Sequence, residues 1–198
     1  LIQATVSGVH ADVGIALDGD GDRLVMVDHL GRIADGDQLL YVIASDRKRA
    51  GTLQGPVVGT VMSNLGLEQK LQAEGVEFLR AKVGDRYVLA MLKEHGGVLG
   101  GETSGHLLCL DRTTTGDGLV SALEVLAVMK RTGRPLAELV AGMPKFPQVM
   151  INVRVRERID PSQSQVIQDA VRRVEKVLGS TGRVVLRASG TEPVIRVM

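Results

Sequence analysis

The chain of 198 residues is 44% hydrophobic but only 2% aromatic and lacks tryptophan, so it can build a sizeable core from aliphatic side chains. Its formal net charge of +1 is spread along the sequence and gives no electrostatic reason to expect nucleic acid as a partner. The single cysteine, Cys109, excludes an internal disulfide framework and indicates a reducing, cytoplasmic location, and no run of about 20 apolar residues predicts a membrane span.

The first part of the sequence predicts strands that alternate with helices. The end of a helix at 1–11 leads into a strand at 13–17, and a second strand at 24–28 returns through a hairpin towards Ile33. The elements expected next are a helix at 35–48, a strand at 57–62, a helix at 67–73, a strand at 78–81, a helix at 85–94, strands at 98–99 and 107–110, and a helix at 118–130. This alternation predicts an α/β domain with a mixed, mostly parallel sheet covered by helices.

The pattern changes after a short helix that begins at Pro135. Residues 142–147 have the composition of a linker, and beyond them we expect an exposed strand at 148–155, an amphipathic helix at 161–178 and a strand from 184. These elements predict a smaller α+β unit. The sequence begins without a methionine and ends within an alternating strand, so we interpret it as part of a longer protein.

The strand at 13–17 ends in Asp18, Asp20 and Asp22, which are separated only by glycines. The glycines allow the three carboxylates to converge, although two unit charges about 4 Å apart repel by roughly 4 kcal/mol at an effective dielectric near 20. A divalent cation removes this repulsion, and hard oxygen donors suit Mg²⁺ bound beside a phosphate. Arg23 adds a fixed positive group next to such an ion. The alternative is an acidic, glycine-rich turn between two strands.

Two further polar loops are predicted at the ends of strands, where α/β proteins bind ligands. Lys82 follows a strand and precedes a helix, so it could face the same crevice as backbone N–H groups, or it could simply be exposed. Glu102, Ser104 and His106 lie on a glycine-rich loop. The carboxylate and the hydroxyl could bind sugar hydroxyls and the imidazole could transfer a proton, whereas a lone histidine is more often structural.

A fourth polar segment lies near the end of the chain. Its hydroxyls, its glycine turn and its two guanidinium groups would form an anion-binding nest, and the alternative is a hairpin turn with ordinary surface arginines. The residues concerned are Arg187, Ser189, Gly190, Thr191 and Arg196.

Taken together and in this order, the four loops resemble those of the α-D-phosphohexomutase family. Residues 18–23 resemble its Mg²⁺ loop, 101–106 its sugar-binding loop, and 187–198 its phosphate-binding loop. The segments 82–88 and 113–118 resemble the glucosamine branch of the family rather than the mannose and glucose branch. The resemblance extends over essentially the whole chain.

The resemblance implies a four-domain enzyme built around a deep cleft. Residues 1–35 would end its second domain, 36–145 would form the third, and 146–198 would form most of a fourth domain with a TATA-binding-protein-like fold. The implied reaction interconverts glucosamine 6-phosphate and glucosamine 1-phosphate through a phosphoserine and a 1,6-bisphosphate intermediate, for UDP-N-acetylglucosamine and cell-wall precursors. Phosphoryl transfer of this kind depends mainly on charge neutralisation and positioning.

The resemblance also implies a role for each candidate residue. Asp18, Asp20 and Asp22 would hold Mg²⁺ against the phosphoserine, with Arg23 beside it. Lys82 and His106 would handle protons or contact phosphate, and Glu102 and Ser104 would bind sugar hydroxyls. The non-reacting phosphate would be bound by Arg187, Ser189, Gly190, Thr191 and Arg196.

The sequence departs from the family pattern at two points. It contains no Ser-His-Asn-Pro-type phosphoserine loop, since Ser63 lacks the neighbouring His and Pro, so the nucleophile is expected upstream and the chain alone is expected to be inactive. The sugar-binding loop has Thr103 at its middle position, where Gln is expected more often, which leaves selectivity for the amino sugar open.

Other interpretations compete with this one. Asp18 could be the nucleophile of a haloacid-dehalogenase-type phosphatase, with 61–63 as its second motif, although that leaves two of the polar loops unexplained. An EF-hand loop starting at Asp18 fails, because Arg23 and His29 occupy its glycine and glutamate positions. A sister branch acting on mannose or glucose phosphates, a binding protein without the nucleophile, and a monomer or a homodimer all remain open.

Overall fold

The computed structural model describes residues 1–157, 159–189 and 192–198. Its contacts divide the chain into two compact units, Leu1–Lys145 and Phe146–Met198. In the first unit the strands are β1 (Val13–Leu17), β2 (Leu24–Asp28), β3 (Ile33–Ala34), β4 (Val57–Thr60), β5 (Phe78–Ala81), β6 (Leu99–Gly101) and β7 (Leu107–Cys109). The helices of this unit are α1 (Ile2–Val9), α2 (Gly36–Arg49), α3 (Leu65–Ala73), α4 (Asp85–His95), α5 (Gly118–Thr132) and α6 (Leu136–Val140).

The first three strands form a small antiparallel sheet in the order β1-β2-β3. Leu17 pairs with Leu24 at the end of the β1–β2 ladder, so residues 18–23 project beyond the paired strands as an acidic loop. Arg32 and Asp28 close the next turn through a side-chain hydrogen bond of 2.9 Å. The predicted strands at 13–17 and 24–28 are confirmed, and they belong to a sheet of their own rather than to the larger one.

The larger sheet has the strand order β5-β4-β6-β7. The β4–β5 and β4–β6 pairs are parallel and the β6–β7 pair is antiparallel, which confirms the predicted mixed, mostly parallel sheet. The chain segments that follow β4, β5 and β6 therefore leave the sheet at one edge. Strand β4 ends at Thr60 rather than at 62, because the Thr60 N–H bonds to the Ser63 Oγ (3.0 Å) and the chain turns there.

The core of this unit is aliphatic, as the composition predicts. Its largest fully buried side chains are Leu24, Met26, Leu39, Leu40, Ile43, Leu67, Leu71, Leu92, Leu99, Leu107, Leu108 and Leu136. Helix α2 lies at the centre, and its start is fixed by a capping box in which the Asp35 side chain accepts from the Gln38 N–H and the Gln38 side chain accepts from the Asp35 N–H. Arg47 from the last turn of α2 is buried and pairs with Asp111 (2.9 Å) and Glu124 (3.0 Å).

The second unit is a three-stranded antiparallel sheet accompanied by one long helix. Its elements are β8 (Ile151–Arg154), α7 (Gln165–Leu178), β9 (Leu186–Ala188) and β10 (Val194–Val197), and the strand order is β8-β10-β9. The helix predicted at 161–178 is divided into a 3₁₀ turn, Pro161–Gln163, and α7, because the Asp160 side chain caps the turn separately. No helix within the described residues is both long and apolar enough to span a membrane.

Candidate functional site

The acidic loop is closed by contacts between its two ends. The Asp18 N–H bonds to the Arg23 carbonyl, and the Arg23 N–H bonds to the Asp18 Oδ1, each over 3.3 Å. The Arg23 Nε lies 3.9 Å from the Asp18 Oδ2, and both side chains are exposed to solvent. Gly21 has φ +73°, a conformation that glycine adopts without strain, and it lets the chain turn between the second and third aspartates.

His106 connects the acidic loop to the glycine-rich loop at 102–106, which we call the Glu102 loop. Its Nδ1 lies 3.0 Å from the Asp22 Oδ2, and the residue is only 5% exposed. The backbones also meet, since Arg23 and His106 form an antiparallel bridge and the Leu24 N–H bonds to the Gly105 carbonyl over 3.0 Å. Two loops that are far apart in sequence, 18–23 and 102–106, therefore lie side by side.

The segment before α5 closes the space behind the His106 ring. A Cβ atom on Gly116 would lie 2.0 Å from the His106 Nε2, so only glycine fits against the imidazole. The Gly118 N–H, at the start of α5, bonds to the Gly21 carbonyl of the acidic loop over 2.9 Å. The Nε2 atom is buried and accepts or donates no hydrogen bond within the described part of the chain.

Glu102 is held by the loop that follows β5. Its Oε1 accepts the Gly84 N–H over 2.9 Å. Lys82, two residues before that glycine, is exposed, with its Nζ 5.9 Å from the Tyr87 ring centroid. Ser104 is exposed at the tip of the Glu102 loop. The structure thus places the Glu102 loop in contact with the acidic loop, through Asp22 and His106, and with the loop that follows β5, through Gly84 and Glu102.

The three aspartates offer the donor chemistry that Mg²⁺ takes, namely hard carboxylate oxygens on a single exposed loop. Asp18 is next to Arg23, Asp22 contacts His106, and Asp20 projects into solvent. Across residues 1–157, 159–189 and 192–198, no three His, Cys, Asp or Glu side chains are gathered tightly enough to hold an ion as they stand. The donor set fits the ion, and binding it would require these carboxylates to turn towards one another.

In the second unit, Arg187 and Arg196 lie directly opposite each other on β9 and β10. Arg196 also pairs with Asn152 of β8, and because side chains alternate along a strand, Arg154 lies on the same face. A cavity of about 460 Å³ on this face is lined by Asn152, Arg154, Val155, Glu192, Pro193, Val194 and Arg196. Like charges directly opposite on neighbouring strands repel, and a bound anion would offset the repulsion between these arginines.

The turn between β9 and β10 contains the remaining predicted residues. Ser189 is buried, and its Oγ accepts the Glu192 N–H over 3.3 Å. Gly190 and Thr191, also predicted to bind phosphate, lie outside the described residues. Within the described residues, the three arginines of this face form no ion pair with a carboxylate.

Sequence reasoning missed three residues of these two sites. Asp37 is fully buried and bonds to the Glu102 loop, and Gly116 packs on His106. Arg154 adds a third guanidinium beside the predicted two. Only Arg154 left a signal in the sequence, since it alternates with Asn152 in a predicted strand and could have been assigned to the face of Arg196.

The fold of the first unit defines an α/β protein in which polar loops follow β5 and β6 at the carboxyl edge of the larger sheet. Family models confirm this class and make it specific: "Phosphoglucomutase/phosphomannomutase, alpha/beta/alpha domain III" matches residues 35–146, and the "C-terminal domain" of the same family matches residues 150–198. The chain therefore belongs to the phosphoglucomutase/phosphomannomutase family, and the family predicted from the sequence is confirmed.

Individual relatives agree with this assignment. Phosphoglucosamine mutases of Methylococcus capsulatus and Alkalilimnicola ehrlichii are 59% and 60% identical over 197 residues, which is 100% of this chain and 44% of each relative. A phosphoglucomutase/phosphomannomutase family protein from Burkholderia thailandensis superposes with a TM-score of 0.72 at 25% identity, over 98% of this chain and 43% of that one. The chain thus spans less than half the length of the curated relatives it matches.

A more distant solved structure has the same fold. N-acetylphosphoglucosamine mutase of Aspergillus fumigatus, in complex with GlcNAc-6P and magnesium, superposes with a TM-score of 0.76 at 22% identity. The match covers 94% of this chain and 48% of that one. At this identity the likeness concerns the fold.

Proposed function

We propose that the protein to which this chain belongs interconverts glucosamine 6-phosphate and glucosamine 1-phosphate. The observation that supports this most directly is the Asp22–His106 contact, which joins a loop of cation donors to a loop suited to sugar hydroxyls. The phosphoglucosamine mutases that match the whole chain at close to 60% identity favour the amino-sugar branch. Sister branches acting on mannose or glucose phosphates are the second candidate.

In this proposal the acidic loop holds the cation. Asp18, Asp20 and Asp22 would bind Mg²⁺, and the ion would neutralise charge on the phosphoryl group being transferred. Arg23 presents a guanidinium that is more than half exposed, so it is free to contact phosphate oxygens. The hydrogen bonds between the Arg23 backbone and Asp18 keep the base of that side chain beside the donors.

The Glu102 loop would bind the sugar. Glu102 is oriented by the Gly84 N–H, which leaves its second oxygen for a sugar hydroxyl, and Ser104 is exposed beside it. Lys82 would contact phosphate or handle protons at the edge of the same loop. His106 is too enclosed to exchange a proton with a ligand in this arrangement, so we assign it the positioning of Asp22 instead.

The second unit would bind the non-reacting phosphate. Arg187 and Arg196 share one face with Arg154, and two of these three line the cavity on that face. An anion bound there would relieve the repulsion between the paired arginines. Ser189, Gly190 and Thr191 would add hydroxyl and backbone donors from the adjoining turn.

The remaining expectations belong to the same proposal. Residues 1–35, 36–145 and 146–198 would belong to the second, third and fourth domains of a longer enzyme that acts in the cytoplasm on a phosphorylated hexosamine and its 1,6-bisphosphate. A phosphoserine from outside this chain would donate the phosphoryl group, and the 198-residue chain alone should show no turnover.

A coupled mutase assay with Mg²⁺ on the full-length protein tests the proposal. Glucosamine 6-phosphate, glucose 1-phosphate and mannose 1-phosphate are compared, with Asp20→Ala as the variant of the cation site. Preference for the amino sugar that is lost in the variant supports both the branch and the site, and preference for another sugar moves the protein to a sister branch. Turnover by the isolated chain, or an aspartyl phosphate at Asp18 that hydroxylamine cleaves, would overturn the proposal.

A further inference from the structure

Asp37 is a buried carboxylate that no part of the proposed reaction uses. It occupies the first turn of α2 and is 0% exposed. Its Oδ2 accepts the Asn64 N–H over 2.7 Å and the Thr103 hydroxyl over 2.8 Å. One oxygen atom therefore joins the turn after β4 to the Glu102 loop, which follows β6.

The backbone next to Asp37 holds the same loop. The Gly36 N–H bonds to the Thr103 carbonyl over 3.1 Å, and a Cβ on Gly36 would lie 2.0 Å from the Glu102 carbonyl oxygen. The start of α2 is thus packed directly against the loop, and Thr103 is fixed through both its carbonyl and its hydroxyl. A residue held on both sides in this way cannot shift without moving its neighbours, Glu102 and Ser104.

Burial makes this contact costly to leave unsatisfied. Desolvation raises the pKa of Asp37, while the hydrogen bonds from Asn64, Thr103 and Ser63 act in the opposite direction. A buried carboxylate that loses a donor has no water to replace it. The hydroxyl of Thr103 is therefore worth more here than a surface hydrogen bond would be.

We propose that Asp37 is a positioning residue that fixes the Glu102 loop relative to the start of α2 through the Thr103 hydroxyl. It would thereby determine where Glu102 and Ser104 contact the sugar. This inference rests on the proposed function for its effect on substrate, but the contact itself can be tested without turnover. It also gives the middle residue of the loop a role directed into the protein rather than towards the ligand.

Hydrogen–deuterium exchange on the 198-residue chain tests the contact. Thr103→Val keeps the shape of the side chain and removes its donor, and we expect the amides of Glu102 and Gly105, which close the loop, to exchange about tenfold faster. Thr103→Ser restores the donor and should restore slow exchange. Thr132→Val removes a hydroxyl bond at the far end of α5 and should leave the loop unchanged. Unchanged exchange in Thr103→Val overturns the inference.

Kinetics of the full-length protein test the consequence for substrate. We expect Thr103→Val and Asp37→Asn to raise the KM for the sugar phosphate about tenfold, with a smaller change in kcat and unchanged Mg²⁺ affinity by calorimetry. The matched control is Asp28→Asn, since Asp28 is also buried and accepts three hydrogen bonds in a hairpin turn outside the site. It should lower stability without raising KM.

The two measurements separate the proposals. A wild-type protein without mutase activity on any of the three sugars defeats the proposed function and leaves the exchange result to stand alone. Active wild type with a KM that Thr103→Val does not change defeats the positioning role. An equal rise in KM in Asp28→Asn would show that general destabilisation is responsible, and it would also defeat that role.

Discussion

Gly116→Ala is the substitution for which the structure gives the sharpest expectation. The added Cβ would lie 2.0 Å from the His106 Nε2 and 2.5 Å from its Cδ2, where carbon atoms normally approach to about 3.5 Å. Gly116 does not have a left-handed backbone, so alanine itself is allowed and the cost is steric. The ring has no simple escape, because it is buried and its Nδ1 contacts Asp22.

The expected loss of stability follows from two terms. Overpacking a filled interior costs about 1–3 kcal/mol, and disturbing the polar contact between His106 and Asp22 adds about 1 kcal/mol. The free energy of unfolding should therefore fall by about 2–4 kcal/mol. With an m-value of about 2 kcal/mol/M, this corresponds to a urea midpoint that is lower by about 1–2 M. Both tyrosines, Tyr41 and Tyr87, belong to the first unit, and the chain has no tryptophan, so tyrosine fluorescence follows the unit that contains Gly116.

Two variants control this experiment. Gly19→Ala lies in the acidic loop, where an added Cβ meets nothing within 4 Å, so it should stay within about 0.5 kcal/mol of wild type. His106→Ala removes the ring that the new Cβ would strike, so Gly116→Ala should cost much less in that background, and the difference is the coupling energy of the pair. A wild-type midpoint for Gly116→Ala, or the same cost with and without His106, would refute the packing argument.

Three further outcomes follow from the structure. Burial raises the pKa of the Cys109 thiol from 9.0 to about 11, so the unfolded chain releases this proton first and the free energy of unfolding should fall by about 2–3 kcal/mol between pH 9 and 11, as measured by urea unfolding. Arg47→Met removes the buried cation between Asp111 and Glu124 and leaves them paired with the more exposed Arg112, so it should destabilise the first unit by about 2 kcal/mol in the same assay. Arg154→Ala should weaken binding of inorganic phosphate to the chain several-fold by calorimetry.

Each of these outcomes has its own control. Cys109→Ala should remove the fall in stability above pH 9, and persistence of the fall would assign it to another group. Arg47→Lys keeps one positive charge and should recover part of the lost stability; a loss as large as that of Arg47→Met would show that charge is not the cause. Arg156→Ala removes an exposed arginine that does not line the cavity. Equal weakening by this variant and Arg154→Ala would point to net charge rather than to a site.

Local structure was predictable wherever short-range signals agree. The helix start predicted at Asp35 is confirmed, since Asp35 and Gln38 form a capping box at the start of α2, and the apolar run at 13–17 became β1 with the predicted bounds. The sequence was less informative where two weak signals overlap. Pro161 is a residue type that often begins a helix, and the helix was therefore predicted from 161. In the structure Asp160 caps a separate 3₁₀ turn at Pro161–Gln163, and α7 begins only at Gln165.

The four polar loops were predictable as loops, whereas the contacts among the loops of the first unit were not. Each motif is contiguous, so its glycines and charges can be read directly from the sequence. Asp22 and His106, in contrast, meet only because β2 and the Glu102 loop lie side by side, and that pairing depends on the whole sheet. Gly116 appears in the sequence as one more loop glycine, and its requirement comes entirely from an imidazole ten residues earlier.

Thr103 shows how the tertiary contact changes the meaning of a sequence departure. In the sequence alone, Thr103 in place of the expected glutamine leaves open which sugar the loop would bind. In the structure, its hydroxyl donates to Asp37 and its carbonyl accepts from Gly36, so both polar groups are already used inside the protein. If the proposed function holds, Thr103 would therefore influence the choice of sugar through the positions of Glu102 and Ser104. In the proposed reaction, selectivity for the 2-amino group would then come from residues whose polar atoms remain free to contact it.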